Sequence, residues 1–436
     1  MKRRSGRLLS TAGLSLLMGA VALTGCSNDN DNASGKTPEA SADKVELRVL
    51  WWGSQDRHDL TMKAIKLFED KNPTIKVTPE YSGFDGYWDK LSVQVGGGSA
   101  PDVIQMSTAY INDYVNRQAL LPLDGAGIKL SDIDESTLST GKLNNKLYAI
   151  PAGINSQSYV YDPAMLAKAG VKLPEHMTWD DLAAAAKQVT EKLGKDVIGV
   201  TNDSGSPEML QYFIRQKGME FFKDGKLGFT TEALTEFFNY WEKLRKEGAA
   251  STPEQTASYF GAPLEKYPIV TGKTPFALLS SNQIGSISTL ANRPLEMTFI
   301  PKASGGIDAD FVSPSMYWSI YAKTKYPKEA ALLMDFMLND PEAGKILGAN
   351  RGVPVSGKIR EALKPQLNDL DKKQFDFVDK VTKVAKPINV IDPKGAGEVR
   401  QLLGTTSQEI QFGKKTPEQG AKEFMDKANA ILDKMK

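Results

Sequence analysis

Two adjacent tryptophans, Trp51 and Trp52, are the residues of this sequence best suited to contact a ligand. They end a run that begins at Val45, alternates in hydrophobicity and then becomes continuously apolar, which predicts a strand entering a buried sheet. Ligands of open α/β sheets bind at the carboxyl ends of the strands. Aromatic rings at that edge therefore predict contact with a flat apolar surface, such as one face of a sugar ring. Adjacent strand residues point to opposite faces, so we expect one tryptophan in the core and the other, by preference Trp52, at the site.

A βαβ unit is predicted to position these tryptophans. Ser54 is expected to cap a helix whose apolar periodicity continues to Asn72. The stretch 75–81 predicts a second strand, and 101–106 predicts a third short, buried one. Because strands and helices alternate, the sequence predicts a parallel sheet with crossover helices.

The N-terminal segment has the pattern of a lipoprotein signal peptide. Basic residues precede an apolar stretch from Leu8 to Leu23, and small residues lead to Cys26, the single cysteine. This arrangement resembles the bacterial lipobox, although an ordinary secretory signal with a coincidental cysteine fits the same residues. We expect a signal peptide over 1–25, lipidation of Cys26 and a flexible polar tether over 26–43. The protein would then be lipid-anchored on the extracytoplasmic face of the cell membrane.

Composition narrows the class of protein. The chain has 436 residues, 25% charged and 41% hydrophobic, which is typical of a globular protein with more than one domain. A net charge of +1 without a basic stripe argues against a nucleic-acid partner. His58 and His176 are the only histidines and the one cysteine is predicted to be lipidated, so we expect no metal site, no thiol–imidazole pair and no cofactor.

Short motifs spread in order along the chain resemble those of family 1 extracellular solute-binding proteins, the sugar receptors of ABC importers. The motifs are Asn72-Pro73-x-Ile75-Lys76-Val77, Gly98-x-x-Pro101-Asp102-Val103, Tyr148-Ala149-Ile150-Pro151, Tyr161-Asp162, Thr178-Trp179-x-Asp181-Leu182, Gly272-Lys273-Thr274-Pro275-Phe276-Ala277 and Glu329-Ala330-Ala331-x-x-Met334-x-Phe336. The resemblance covers almost the whole mature chain. The stretches 51–58 and 86–91 are most similar to binders of pectin-derived, rhamnogalacturonan-type oligosaccharides, and maltose-binding protein is a distant member.

The resemblance implies an α/β, two-lobed periplasmic-binding-protein fold. Each lobe would be a mostly parallel sheet flanked by helices, with the ligand cleft between the lobes. One lobe would comprise 44–151 and 295–340, and the other 152–294 and 341–436. The implied function is a non-catalytic, monomeric substrate-binding lipoprotein that captures an oligosaccharide and presents it to the permease subunits of an ABC transporter.

The candidate ligand contacts share aromatic or polar side chains placed at strand ends or at positions that match the family's ligand segments. They are Trp51, Trp52, Arg57, Tyr81, Trp88, Ser107, Tyr110, Asn155, Asn282, Tyr317, Trp318 and Arg351. Tyr81 and Trp88 fit the cleft and the core equally well. The two arginines would contact carboxylates or hydroxyls, and each alone also fits an ordinary surface position. Relatives often carry tryptophan at the position of Asn282, so a ring-stacking role is not expected there.

Two other functions fit the same residues. A carbohydrate-active enzyme would use a pair of carboxylates, and spacing alone does not exclude a pair among 53 acidic residues. A binding protein for a non-sugar solute, such as a metal chelate or polyamine, would keep the fold and change the ligand. The aromatic strand ends favour a sugar over these alternatives.

Overall fold

The computed structural model describes residues 44–434 except residues 54, 85, 195, 261, 263 and 389–391. The predicted signal peptide, Cys26 and tether lie outside the described residues, as does Ser54, the predicted N-cap. Within that described range, no helix combines the length and the apolar character needed to cross a membrane.

Strands and helices alternate at the start of the described chain, as the periodicity predicts. The strands are β1 Val45–Trp52, β2 Ile75–Ser82, β3 Val103–Met106, β4 Lys142–Leu143, β5 Lys146–Leu147, β6 Ile150–Asn155, β7 Gln157–Tyr161, β8 Phe222–Lys223, β9 Lys226–Leu227, β10 Phe276–Ser280, β11 Glu296–Thr298 and β12 Ser313–Ile320. The helices are α1 Gln55–Lys71, α2 Tyr87–Gly96, α3 Thr108–Asn116, α4 Glu135–Leu138, α5 Pro163–Ala169, α6 Trp179–Leu193, α7 Pro207–Arg215, α8 Thr231–Lys246, α9 Pro253–Tyr259, α10 Ile284–Ala291, α11 Pro327–Asn339, α12 Pro341–Leu347, α13 Gly357–Leu363, α14 Asp369–Val384, α15 Ala396–Gln411 and α16 Pro417–Lys434.

The first lobe is built on a five-stranded sheet of order β2-β1-β3-β12-β6. Strand β1 pairs parallel with β2 and β3, which confirms the predicted βαβ unit, whereas β12 pairs antiparallel with β3 and β6. The carboxyl ends of β1, β2 and β3 therefore meet at one edge of this sheet. Apolar side chains of this sheet form a common core with those of helices α1, α11, α12, α13 and α14.

The second lobe is built on a three-stranded sheet of order β10-β7-β11. Both outer strands run antiparallel to β7, so the expectation of mostly parallel strands does not hold for this sheet. Short apolar runs look alike in parallel and antiparallel sheets, which is why the sequence pattern did not indicate direction. Helices α5 to α8, α15 and α16 supply most of the second lobe's core.

The chain passes between the lobes at three places. Strand β6 of the first sheet is separated from β7 of the second by Ser156 alone, and a second crossing lies between β11 and β12. The third follows α14, because α14 packs in the first core and α15 in the second. Two placements bear on the lobe boundaries expected at 295 and 341. Strand β11 pairs in the second sheet, and helices α12 to α14 bury their apolar faces against the first.

Candidate functional site

The two tryptophans at the end of β1 lie on opposite sides of the first sheet. Trp51 is fully buried and its Nε1 donates to Nδ1 of His58 at 3.1 Å, so it belongs to the core and not to a ligand surface. Trp52 faces the other side, with its ring centroid 5.5 Å from that of Trp88. The alternation of side chains along a strand accounts for this division.

Four rings form an aromatic surface at the carboxyl edge of the first sheet: Trp52, Phe84, Trp88 and Tyr110. The rings of Trp88 and Tyr110 stack with their centroids 3.8 Å apart, and Trp52 packs edge-on against Phe84 at 5.6 Å. Phe84 is 49% exposed, whereas Trp52 is almost covered by its neighbours. Mutual packing holds these rings in place, so the exposed part of the surface is preorganised for a flat apolar ligand face.

Three other aromatic candidates differ in exposure. Tyr81 is 44% exposed and stacks on the His58 ring at 4.3 Å, so it remains accessible at the sheet edge. Tyr317 is fully buried and its hydroxyl donates to the backbone oxygen of Thr140 at 3.0 Å. Trp318 is also buried. Tyr317 packs in the apolar cluster on one face of the first sheet and Trp318 in the cluster on the other face, so both are core residues rather than ligand contacts.

The two candidate arginines lie close together beneath the same edge. The Nε and Nη2 atoms of Arg57 donate to the side-chain and backbone oxygens of Asn350 at 2.7 and 2.8 Å. Arg351 is buried, with its Nε donating to Gln105 at 3.0 Å and its Nη2 to Thr61 at 2.9 Å. Burial, together with a smaller effect of the Arg57 charge, lowers the pKa of Arg351 to about 9. The pair contributes positive potential to the first lobe.

The three small polar candidates occupy strand ends, as expected. Ser107 caps α3, where its Oγ accepts from the Ala109 amide at 3.4 Å. Asn155 ends β6 and its Oδ1 accepts from Gln374 at 3.3 Å. Asn282 is exposed in the turn after β10.

Three neighbouring cavities form a groove that extends from the second lobe to the first. The Asp203 cavity, about 320 Å³, is lined by Asp203, Glu208, Tyr259, Tyr267, Gln157 and Gln283 among others. The Arg215 cavity, about 220 Å³, is lined by Arg215, Arg400, Asp392, Phe311 and Thr108 among others. The interlobe cavity, about 550 Å³, is lined by Asn112, Lys142 and Asn145 of the first lobe and by Glu220, Phe222 and Asp224 of the second, among others. Gln157 and Glu208 line the first two cavities, while Glu220 and Phe222 line the last two, so the cavities are continuous.

None of the candidate ligand contacts lines this groove, although three of them lie next to residues that do. Thr108 follows Ser107, Gln157 is two residues after Asn155, and Gln283 follows Asn282. These three strand ends therefore lie next to the groove, and neighbouring side chains line it.

The sequence-based candidates missed Asp203, the most perturbed acid of the groove. Its Oδ2 accepts from the hydroxyl of Tyr159 at 3.3 Å, and burial raises its pKa to about 7. Asp203 lies shortly after residues 196–200, which the sequence predicts as a strand. Within this stretch only Val200 forms a β-bridge, and its partner is Ala250. A strand end followed by a carboxylate was thus a usable signal.

The Arg215 cavity joins the two lobes. The Nε of Arg215 donates to the backbone oxygen of Ala309 at 3.1 Å, and its guanidinium lies 5.3 Å from the Phe311 ring centroid. Arg400 forms a bidentate ion pair with Asp392, in which Nη1 and Nη2 donate to the two carboxylate oxygens at 2.5 and 2.8 Å. Thr108, at the start of α3, reaches the same cavity from the first lobe. Among the described residues, no group of histidine, cysteine, aspartate and glutamate side chains is arranged to hold a metal ion.

A family model described as bacterial extracellular solute-binding protein matches residues 63–364. The chain belongs to this family. This solute-binding protein also resembles a solved extracellular solute-binding protein family 1 structure from Alicyclobacillus acidocaldarius, with 36% identity and a TM-score of 0.82 over 89% of this chain and 98% of that one. A periplasmic oligogalacturonide-binding protein from Yersinia enterocolitica is 26% identical, with a TM-score of 0.80 over 90% of this chain and all of that one (100%).

One relative is similar over a shorter range. An arabinooligosaccharide-binding protein from Halalkalibacterium halodurans is 27% identical over 199 residues, which is 44% of each chain. These relatives are binding proteins rather than enzymes. The two-lobed α/β fold expected from the sequence is confirmed by these structures.

Proposed function

We propose that this protein is the substrate-binding lipoprotein of an ABC sugar importer. It captures an oligosaccharide between its lobes and presents it to the membrane permease, without catalysing a reaction. The observation that carries the proposal is the groove of three continuous cavities, to which the first lobe contributes Thr108 and Asn112 and the second lobe contributes Asp203 and Arg215. A groove of this length suits a chain of several linked units better than one compact solute.

The chemistry of the groove and its surroundings supports a sugar. Sugars present apolar ring faces and many hydroxyls, which require aromatic surfaces together with planar polar groups. The aromatic surface supplies rings for the apolar faces of the sugar, while Gln157, Gln283 and the carboxylates supply planar polar groups for its hydroxyls. One structure of the Yersinia relative contains saturated digalacturonic acid. By analogy, a pectin-derived oligosaccharide is the narrower form of the proposal, with its acidic unit near Arg57.

The proposal includes a monomer with two lobes that close on the ligand. We assign 44–155 and 312–384 to the first lobe, and 156–311 and 385–434 to the second, from sheet pairing and core packing. Lipidation of Cys26 would hold the protein on the extracytoplasmic face of the membrane. The variant Cys26→Ala should leave the membrane fraction with its ligand affinity unchanged, and retention of that variant in the membrane would contradict the anchor.

A thermal-shift screen tests the function. Arabinotriose serves as a neutral probe and digalacturonate as an acidic one. A bound probe at a hundred times its Kd should stabilise the folded protein by about 2.7 kcal/mol. If neither these probes nor a wider panel of plant oligosaccharides raises the melting temperature, the proposed function is wrong.

A pair of matched variants tests the aromatic surface. Phe84 is 49% exposed on that surface, and Phe412 is 47% exposed at the end of α15, away from it. Phe84→Ala should weaken binding by several-fold, because an aromatic contact contributes about 0.5–1.5 kcal/mol beyond its buried area. Phe412→Ala should leave affinity unchanged, and equal effects of the two variants would exclude a role for this surface.

A further inference from the structure

The Asp203 cavity differs in charge from the rest of the groove. Its lining includes two carboxylates, those of Asp203 and Glu208, and no lysine, arginine or histidine among the described residues. All of its lining residues come from the second lobe and the crossing at Gln157. The adjoining Arg215 cavity combines three carboxylates, among them Glu208, with two arginines, and the interlobe cavity combines three carboxylates with two lysines.

The carboxylate of Asp203 retains acceptor capacity toward the cavity. Its donors within the protein are the hydroxyls of Tyr159 and Thr201. An ionised carboxylate has about four lone-pair sites, so two donors leave room for two more. Glu208 is exposed at the cavity rim, where one of its oxygens accepts from Ser206 at 3.0 Å.

Aromatic side chains line the same cavity. Tyr259 is held in place by a hydrogen bond between its hydroxyl and that of Ser251 at 2.9 Å. Tyr267 is partly exposed, and Phe260 is 44% exposed. The cavity therefore combines ring faces with acceptors for hydroxyl donors, which is a suitable environment for one sugar unit.

We propose that the Asp203 cavity binds an uncharged sugar unit, whose hydroxyls donate to Asp203 and Glu208, and that these carboxylates exclude a uronate from this end of the groove. This inference rests on the proposed function, because it assigns a substrate class to one part of the same groove. A sugar hydroxyl stabilises an ionised carboxylate by donating to it. A uronate would bring a like charge into a cavity that offers no cation to pair with it.

The two ends of the binding region would then differ in ligand preference. The first lobe carries Arg57 and Arg351 beneath its aromatic surface, whereas the second lobe presents two carboxylates. An oligosaccharide that contains both acidic and neutral units would bind in one direction only, with a neutral unit at the second lobe.

Calorimetry on matched probes tests the inference. Trigalacturonate and its methyl ester share the same sugar units and differ in charge, and arabinotriose provides an independent neutral probe. At a pH well above 7, where the Asp203 carboxylate is ionised, the Asp203→Asn variant should improve the affinity of trigalacturonate relative to that of its methyl ester by about tenfold, because it removes the like charge.

Two further variants test whether the effect is specific to the Asp203 cavity. Glu208→Gln changes an exposed rim residue, and it should shift the affinity ratio in the same direction by a smaller factor. Asp70→Asn removes the carboxylate charge of the exposed Asp70–Lys66 ion pair in the first lobe. It should leave the ratio of the two affinities unchanged. Thermal unfolding of each variant verifies that it is folded.

These measurements distinguish failure of the neutral subsite from failure of the proposed function. A ratio of affinities that neither cavity variant changes overturns the neutral subsite while leaving an oligosaccharide receptor. Absence of binding by all the probes and by the wider panel of plant oligosaccharides overturns the proposed function and the subsite with it.

Discussion

The guanidinium of Arg57 donates to both oxygens of Asn350, the side-chain one at 2.7 Å and the backbone one at 2.8 Å. The amide of Asn350 in turn donates to Asp56 at 2.9 Å. These bonds tie the start of α1 to the turn after α12, which lies 293 positions later in the sequence. Arg57 is therefore a positioning residue for the edge of the first lobe, whether or not it also contacts a ligand.

Replacing Arg57 tests both roles. Arg57→Ala removes the bonds to Asn350 and should lower the free energy of unfolding by about 1–3 kcal/mol, measured by urea denaturation. If Arg57 also pairs with a ligand carboxylate, calorimetry should show digalacturonate weakened by more than about tenfold and arabinotriose barely affected. Arg57→Lys keeps the charge without the planar fork and should recover only part of either effect.

Equal loss of affinity for the two probes would exclude pairing of Arg57 with a ligand carboxylate and leave Arg57 as a structural residue. An unchanged free energy of unfolding would contradict the structural role itself.

The buried carboxylate of Asp203 should make stability depend on pH. Burial raises its pKa from 3.8 to about 7, so the folded state holds a proton that the unfolded state releases. The free energy of unfolding should therefore fall as pH rises from about 4 to about 7, by a few kcal/mol at most. Urea denaturation at intervals across this range measures the slope.

The Asp203→Asn variant cannot release that proton, so its stability should vary less across the same pH range. Burial also raises the pKa of Asp310, to about 6, which adds a second decrease of the same sign that the variant retains. Identical pH profiles for wild type and Asp203→Asn would contradict the assignment of the proton to Asp203.

Local patterns in the sequence predicted the first lobe well. The strand ending at Trp52, the helix after it and the strand ending near Tyr81 all appear where periodicity places them, because each depends on residues close in sequence. The opposite orientation of Trp51 and Trp52 follows from strand geometry alone. A capping box formed by Thr178 and Asp181 at α6 is another feature that depends only on residues close in sequence.

The second lobe's part of the groove could not be predicted in the same way. Asp203, Tyr259 and Gln283 line one cavity but come from three separate segments, which only the tertiary fold brings together. The burial of Tyr317 depends on apolar residues from other segments that pack over its face of the first sheet, and its own neighbours in the sequence do not encode that packing. Side-chain chemistry therefore indicated the ligand class, whereas long-range packing decided which residues reach the groove.

The backbone of Gly153 makes a close approach that should tolerate no side chain. A Cβ at this position would lie 2.1 Å from the backbone oxygen of Arg351, where β6 runs beside the segment that contains Val353. Gly153→Ala should therefore lower the free energy of unfolding by about 1–3 kcal/mol or more, because the backbone must move apart. Gly285, at the start of α10, has open space around a Cβ, so Gly285→Ala is the matched control and should change stability by at most about 1 kcal/mol. Equal stability of the two variants in urea denaturation would contradict the close approach.

Ligand binding should close the two lobes about their crossings. Ser156, the single residue between β6 and β7, accepts from the Ser281 amide at 2.8 Å and donates through its Oγ to the backbone oxygen of Phe311 at 3.0 Å. These bonds join the first crossing to the second close to the point where the core changes from Phe311 of the second lobe to Val312 of the first. A short, bonded junction between two rigid cores favours hinge rotation over a change within either lobe.

Small-angle scattering measures this closure. Wild-type protein saturated with an oligosaccharide that raises its melting temperature should have a smaller radius of gyration than the free protein, because the groove between the lobes narrows around the ligand. Phe84→Ala, at a probe concentration too low to saturate the weakened site, should remain at the free value and show that the probe itself does not change the scattering. If the radius of gyration stays constant at full saturation of the wild type, the lobes do not move as hinged bodies. Recognition would then rely on the groove as it stands in the free protein.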